Sequence, residues 1–377
     1  MSNVVATLYR PTWAEIDLSA IGYNIKQIKN TLSTKTEIMA VVKANGYGHG
    51  SVEVARKALS SGAKALAVAL LEEALVLRRA GITAPILVLG WVDPKDSSIA
   101  AKHNITLTVF QEEWLEEVKK VPLTTDLQVH MKWDTGMGRI GIRTERELNE
   151  VLLALKQTPQ VHLTGIFTHF ATADEENSAY YEEQTQRFFR LLNIFQKKWP
   201  ESDTIRIHTG NSAAAIRFPK QMRHYIRYGI AMYGQYPSQW IKSEKMISLK
   251  PAFSLYSQLT HVKWVPKGTK IGYGSTYTLN EDGWVGTVPI GYGDGWARDL
   301  QDFYVLINGK KCPIIGRICM DQMMIHLDQS YPIGTKVTLI GRDQQEVIEV
   351  DDIAKYLGTI PYEVTCMLNE RIPRKYI

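Results

Sequence analysis

Cysteine is nearly missing from this chain: Cys312, Cys319 and Cys366 are its 3 thiols in 377 residues. So sparse and odd a set excludes a disulfide framework and favours a reducing compartment, so a cytoplasmic location is expected. Long apolar runs are missing too. The greasiest stretch, Ala84 to Val92, is broken by Pro85 and Gly90 and falls well short of the ~20 residues that cross a bilayer. Met1 to Thr12 lacks a basic region leading into an apolar core, so no secretory signal is expected. The chain has no repeat, no low-complexity tract and no block of like charge. Its 44 Lys and Arg against 39 Asp and Glu leave a dispersed excess of +5, which does not call for nucleic acid. No H-E-x-x-H or similar histidine spacing occurs, so no metal is expected.

What is present is the stock of a globular protein, with 45% hydrophobic and 22% charged residues. The length exceeds one ordinary core, and the chain divides by pattern into two regions. Up to about Ile230, short β-branched or aliphatic runs alternate with segments of helical apolar period. The strands are expected at Glu37–Val42, Ala65–Leu70, Pro85–Leu89, Thr106–Phe110, Leu127–Lys132, Leu163–Thr168, Ile205–His208 and Tyr225–Arg227. Helices are expected at Val52–Ser60, Leu71–Arg79, Glu112–Lys119, Glu145–Leu155, Tyr181–Lys197 and Ala213–Phe218. Eight such units predict an α/β fold, a (βα)8 TIM-like barrel over residues 1–245.

Beyond it, residues 246–377 read as a mainly β domain. Strand runs come at short spacing: Phe253–Val265, Gly286–Ile290, Phe303–Ile307, Cys312–Cys319, Met323–Leu327 and Lys336–Ile340. Asn308-Gly309 is a hairpin signal, because both central residues of a type I′ turn need positive φ. One short helix is expected at Asp351–Leu357.

In a parallel barrel the loops after the strands gather into one bowl, where reactive groups collect. The polar residues follow that rule. Lys43 ends the first barrel strand and precedes the glycine-rich Ala44-Asn45-Gly46-Tyr47-Gly48-His49-Gly50. Lys132 and Asp134 follow the fifth strand, His169 the sixth, His208 and Asn211 the seventh, and Arg227 the eighth. A lysine among apolar groups and other cations loses its proton readily and suits Schiff-base chemistry. Asn211-Ser212-Ala213-Ala214 opens a helix, whose amides favour phosphate. Lysine, arginine and phosphate donors together point to pyridoxal 5′-phosphate.

The run Ala40-Val41-Val42-Lys43-Ala44-Asn45-Gly46-Tyr47-Gly48-His49-Gly50 resembles the cofactor-lysine signature of bacterial alanine racemases. Further segments match in order: Trp13-Ala14-Glu15-Ile16-Asp17, Asp134-Thr135-Gly136-Met137-Gly138-Arg139, Thr168-His169-Phe170-Ala171, Arg227-Tyr228-Gly229-Ile230, Gly272-Tyr273-Gly274, Gly291-Tyr292-Gly293-Asp294-Gly295-Trp296 and Gly316-Arg317-Ile318-Cys319-Met320-Asp321. The resemblance implies a pyridoxal-phosphate enzyme that interconverts L- and D-alanine by two-base proton transfer and supplies D-alanine for peptidoglycan. It also implies a homodimer in which the β domain of each chain completes the other's site.

The family roles carry over position by position. Lys43 resembles the cofactor lysine, which also acts as acid and base on one face of the α-carbon, and Tyr273 resembles the tyrosine acting on the opposite face. Tyrosine normally titrates near ~10, so its phenolate needs cations nearby. Arg227 resembles the arginine facing the pyridine nitrogen; Tyr47, Ser212, Gly229, Ile230 and Tyr362 resemble phosphate ligands, and His169 a residue packed at the ring. Arg139 resembles the arginine near the cofactor phenol oxygen and substrate carboxylate. Lys132 resembles a lysine carbamylated in many relatives, the other reading being an unmodified lysine paired with Asp134. Cys319, Met320 and Asp321, with Tyr292, are expected at the substrate, and Asp174, Arg298 and Arg317 at an outer gate. His49 and His208 read as structural.

A racemase of serine or of broader range on the same site is the alternative, and an aromatic Tyr362 favours alanine over it. A decarboxylase on the same barrel would be expected to place an acid where Arg227 stands. A non-enzymatic pyridoxal-phosphate module would lack the β region that carries Tyr273 and Met320.

Overall fold

The computed structural model describes residues 9–377; most of the segment read for a signal sequence lies outside the described residues. They form two compact units, one of residues 20–46 and 51–251, the other of residues 9–19, 47–50 and 252–377. The first strand, β1 (Thr12–Ile16), belongs to the second unit.

The first unit is the barrel. Its strands are β2 (Glu37–Val41), β3 (Ala65–Val68), β4 (Ile86–Val88), β5 (Ile105–Val109), β6 (Leu127–Lys132), β7 (Val161–Phe167), β8 (Arg206–His208) and β9 (Tyr225–Tyr228). They pair in the order β8-β7-β6-β5-β4-β3-β2-β9, and every pair is parallel. The seam between β8 and β9 is drawn together by backbone hydrogen bonds from His224 N to Ile207 O (3.0 Å) and from Arg227 N to Gly210 O (2.9 Å). The barrel expected from the alternating pattern is therefore present and nearly closed. β3 and β4 read as unbroken apolar runs because both faces are covered, and β3, β4 and β5 are buried along their whole length.

The helices form where an apolar stripe and a cap coincide. Glu145–Lys156 buries Leu148, Val151, Leu152 and Leu155, and starts at a capping box in which Thr144 Oγ1 accepts from Glu147 N while Glu147 accepts from Thr144 N. Ala179–Lys198 buries Tyr181, Gln184, Phe188, Leu191, Leu192 and Phe195 at the same three- and four-residue spacing. No helix among the described residues is long and apolar enough to cross a membrane.

In the second unit β1 lies between β10 (Phe253–Gln258), antiparallel with Trp13 opposite Tyr256, and the parallel C-terminal strand Arg374–Tyr376. The expected strand Phe253–Val265 is two, β10 and His261–Val265, in different sheets. Leu259 and Thr260 turn the chain between them, their amides donating to Thr335 O and Thr287 O. In place of the expected Cys312–Cys319 strand the chain forms Lys310–Pro313, which overlaps it only at Cys312 and Pro313. Asn308 and Gly309 turn the hairpin with φ of 50° and 75°, and Ile307 pairs with Lys310. A helix at Pro361–Met367 had no counterpart in the pattern.

Candidate active site

Lys43 follows β2, and behind it the backbone coils to the left. Ala44, Asn45 and Gly46 have φ of 50°, 50° and 62°, and Tyr47 has 53°. Left-handed conformations cost a non-glycine residue about 1–2 kcal/mol, so the surroundings must hold them. Gly46 N donates to Val42 O (2.9 Å), and Asn45 Oδ1 accepts from Ser51 N (2.9 Å). Glu73 supplies the third tie: one oxygen accepts from Ala44 N (2.5 Å), the other from Ala69 N (2.7 Å) and Leu70 N (3.2 Å). One carboxylate thus fastens the loops after β2 and β3 together.

Arg227, on β9, is buried at 4% exposure and pairs with no carboxylate among the described residues. Its guanidinium donates to the carbonyls of His208 (2.8 Å), Thr168 (2.6 Å) and Thr209 (3.2 Å), and lies 3.0 Å from His208 Nδ1 and 3.3 Å from His169 Nδ1. Burial first, then the Arg139 charge, pulls it below its ordinary range to about 9, so it stays cationic at neutral pH. Lys132, at the end of β6, is 3% exposed. Burial, with Arg139, Arg227 and Lys43 also opposing its charge against Asp134, lowers it to about 8. Burial and the same four cations, Arg227 foremost, hold His169 neutral, well below the usual imidazole range.

Asp134 is committed to its own loop. Its Oδ1 accepts from Gly136 N and Gly138 N, both at 3.0 Å, which shapes the turn that ends in exposed Arg139. No ion pair within 4 Å joins it to Lys132 among the described residues, although its charge still acts on that lysine and favours the ammonium. Gln184, from the helix Ala179–Lys198, braces the loop after β6 against the loop after β7, beside a 2.8 Å hydrogen bond between the hydroxyls of Thr135 and Thr168.

Ser212 opens a helix capped by Asn211, whose Oδ1 accepts from Ala214 N (2.9 Å). Ser212 Oγ accepts from Gly229 N (3.0 Å), and Ser212, Gly229 and Ile230 are all buried. Asp174 sits in the same unit, where its charge acts on Arg217.

The remaining expected residues belong to the second unit. The rings of Tyr47 and Tyr362 stand 6.0 Å apart. Tyr273 is 71% exposed, between two glycines with φ of 74° and 73°; a Cβ on Gly274 would meet a guanidinium nitrogen of Arg317 at 2.9 Å. Tyr273, Tyr292, Arg298 and Ile318 line a cavity of about 660 Å³. Tyr292 N donates to Cys319 O (3.1 Å) and Gly293 N to Met320 O (2.8 Å), so the tyrosine loop is pinned to the 319–320 segment. Burial pushes the Cys319 thiol up, away from thiolate chemistry. The Asp321 carboxylate pairs with Arg371 at 2.5 Å.

The barrel therefore gathers Lys43, Lys132, Arg139 and Arg227 into one field of positive charge that keeps His169 neutral, and the second unit gathers Tyr273, Tyr292 and Arg298. Glu73, Gln184 and the histidine His130 were not anticipated. The first two look like ordinary polar positions of amphipathic helices, and His130 like one residue of a strand; no local pattern marks them.

Comparison with known proteins gives a uniform result. Residues 16–237 match the family described as alanine racemase, N-terminal domain, and residues 252–376 match alanine racemase, C-terminal domain. An alanine racemase of Geobacillus stearothermophilus is 51% identical over 97% of this chain and 93% of its own length, and alanine racemase 1 of Bacillus subtilis 48% over 98% and 94%. The solved alanine racemase of Bacillus anthracis with bound L-Ala-P superposes with a TM-score of 0.96 at 48% identity, covering 99% of this chain and 96% of that one. A histidine racemase from Leuconostoc mesenteroides subsp. sake is similar at 32% identity and TM-score 0.90, over 98% of each chain.

Proposed function

The chain belongs to the alanine racemase family and interconverts the enantiomers of alanine with pyridoxal 5′-phosphate; from that premise we propose how its side chains divide the work. The observation that carries the proposal is the surplus of cations at the barrel. Lys132 feels the charges of its cationic neighbours Arg139, Arg227 and Lys43, and Arg227 that of Arg139, while the carboxylates of Asp134 and Glu73 are bound to backbone amides. Such a field suits a phosphate, a phenolate and a substrate carboxylate, so the residues fit this cofactor. When bound, pyridoxal phosphate supplies an electron sink for the pair left at the α-carbon.

Lys43 anchors the cofactor and moves the α-proton on one face; the hydroxyl of Tyr273, from a second copy of the chain, moves it on the other. Two bases are needed because a proton lost from one side must be returned from the opposite side. Arg227, a permanent cation, would face the pyridine nitrogen of a bound cofactor and would disfavour its protonation, which would weaken the sink and limit side reactions. Its neighbours are carbonyls and imidazoles, not the carboxylate a decarboxylase would place there. Ser212, Gly229 and Ile230 hold the phosphate, with Tyr47 and Tyr362 as further donors, and His169 packs at the ring.

Arg139 takes the substrate carboxylate and Lys132 orients it. A buried lysine lowered to about 8 carries enough neutral amine to add carbon dioxide, and the resulting carbamate is an anion suited to Arg139. The Met320 amide also binds the carboxylate, with Cys319 and Asp321 beside it and Tyr292 narrowing the approach. Asp174, Arg298 and Arg317 form the outer gate.

The homodimer is supported by what one chain leaves exposed: Tyr273 at 71%, Met320 at 52% and Tyr292 at 44%. Large apolar side chains clustered on a surface mark a contact. The aromatic pair of Tyr362 and Tyr47 favours a small substrate, alanine over serine. The test is to mix purified holoenzyme with L-alanine in deuterated water. Loss of optical rotation with deuterium appearing at the α-carbon is expected; release of carbon dioxide would instead mark a decarboxylase.

A further inference from the structure

Two buried histidines continue the hydrogen bonds of Arg227 into the barrel. His208 Nδ1 lies 3.0 Å from a guanidinium nitrogen of Arg227, and His208 Nε2 lies 2.8 Å from His130 Nδ1. A guanidinium can only donate, so His208 Nδ1 must accept. The single proton of a neutral His208 then sits on Nε2 and is donated to His130 Nδ1, which leaves the His130 proton on Nε2. Both rings are neutral: burial lowers His208 well below its usual range and His130 to about 3, with the Arg227 charge acting in the same direction on each. A second proton on either ring would set donor against donor.

The fold makes room for this arrangement. Gly165 on β7 is the partner of His130, and the β6–β7 register slips between Val129 and His130. A Cβ on Gly165 would come within 2.6 Å of Cδ2 and Nε2 of the His130 ring. Glycine inside a strand weakens it, and here the space it leaves is filled by one imidazole. His208 is fixed from another side by stacking on Phe167 at 4.8 Å and 8°. His130 also lines a cavity of about 200 Å³ with Gln128, Thr164 and Arg206, away from the loops that carry Lys43 and Asp134.

We infer that His130 is a positioning residue for Arg227: acting through His208, it fixes the tautomer that keeps a lone pair aimed at the guanidinium. Its effect on rate rests on the proposed role of Arg227, whereas the tautomers do not. Long-range proton–nitrogen spectra of holoenzyme labelled with 15N-histidine read them directly, and Nε2–H is expected for both rings. His130→Asn offers a carbonyl oxygen near the position of Nδ1 and keeps the His208 tautomer, with kcat within about threefold. His130→Leu strands the His208 donor; kcat falls about tenfold or more at steady KM, and the cofactor absorbance band shifts. Gly165→Ala, which leaves the imidazole in the sequence but crowds it, should behave like the Leu variant. An Nδ1–H His208 in the unsubstituted protein, or Asn and Leu variants equal in kcat and absorbance, would overturn the inference. Failure of the unsubstituted protein to racemise alanine would strike the proposed function and leave the tautomer result standing.

Discussion

Gln184 and His169 are joined between an outer helix and an inner loop: Gln184 Nε2 donates to the backbone carbonyl of His169 at 3.2 Å. The same side chain accepts from Ala171 N at 2.9 Å, and its nitrogen lies 3.5 Å from Thr135 Oγ1. With 0% exposure, no solvent can replace these contacts. Two neighbours on the same helix reach the same loop, Tyr180 donating to Gly136 O (2.8 Å) and Arg187 to Thr135 O (3.2 Å). The segment leading to Arg139 is thus held by a helix that carries none of the proposed chemistry.

Replacing Gln184 by Met keeps the volume and removes the partners of Ala171 N and His169 O. A loss of about 1–3 kcal/mol in unfolding free energy is expected. Hydrogen exchange at residues 168–174 should speed up well before global unfolding. Unchanged exchange there, with unchanged stability, would show that the brace does not hold the loop.

Lys132 gives a pH signature whose sign follows from its lowered value of about 8 against an ordinary 10.5. Between these two values the unfolded chain binds more protons than the folded one, so stability rises with pH. Protein freed of carbon dioxide should therefore gain stability relative to Lys132→Met from pH 8 to 10.5, and show its largest deficit below pH 8. Carbamylation removes the ammonium and flattens this difference. Intact mass measured under bicarbonate should then show one added carbon dioxide, lost in Lys132→Met.

Asp294 is fully buried beneath the Tyr292 loop. It pairs with Arg10 through both oxygens at 2.8 Å, reaches Arg371 at 3.4 Å and accepts from Gly291 N at 3.0 Å. Asp294→Asn keeps the shape but uncouples two arginines; because Arg10 and Arg371 stay partly exposed to solvent, the cost falls below that of a fully buried pair, at about 1–3 kcal/mol. A lower urea midpoint with reduced activity is expected; an unchanged midpoint would place the loop's support elsewhere.

The barrel was legible because its two periods alternate over the whole first region, and the end of each strand could be read from where its apolar run stops. Lys43, Lys132, His169 and Arg227 stood out as polar residues at those stops. β1 was not legible, since Trp13 pairs with Tyr256 and Ala14 with Arg374, and no local pattern announces a partner so far along the chain. The split of Phe253–Val265 was hidden because the strand-like alternation of apolar and polar residues runs on through Leu259 and Thr260, where the chain passes from one sheet to another. His130 was invisible for a different reason. Its meaning depends on a missing Cβ at Gly165 and on a second histidine 78 residues away.

The central claim is that one site needs Lys43 from one copy and Tyr273 from another. Lys43→Ala and Tyr273→Phe chains, each inactive alone, are mixed under conditions of verified subunit exchange, and racemisation of alanine is measured. With random pairing, half the dimers are mixed and each mixed dimer rebuilds one intact site, so about one quarter of the unsubstituted activity should return. No activity after complete exchange would contradict a site shared between chains.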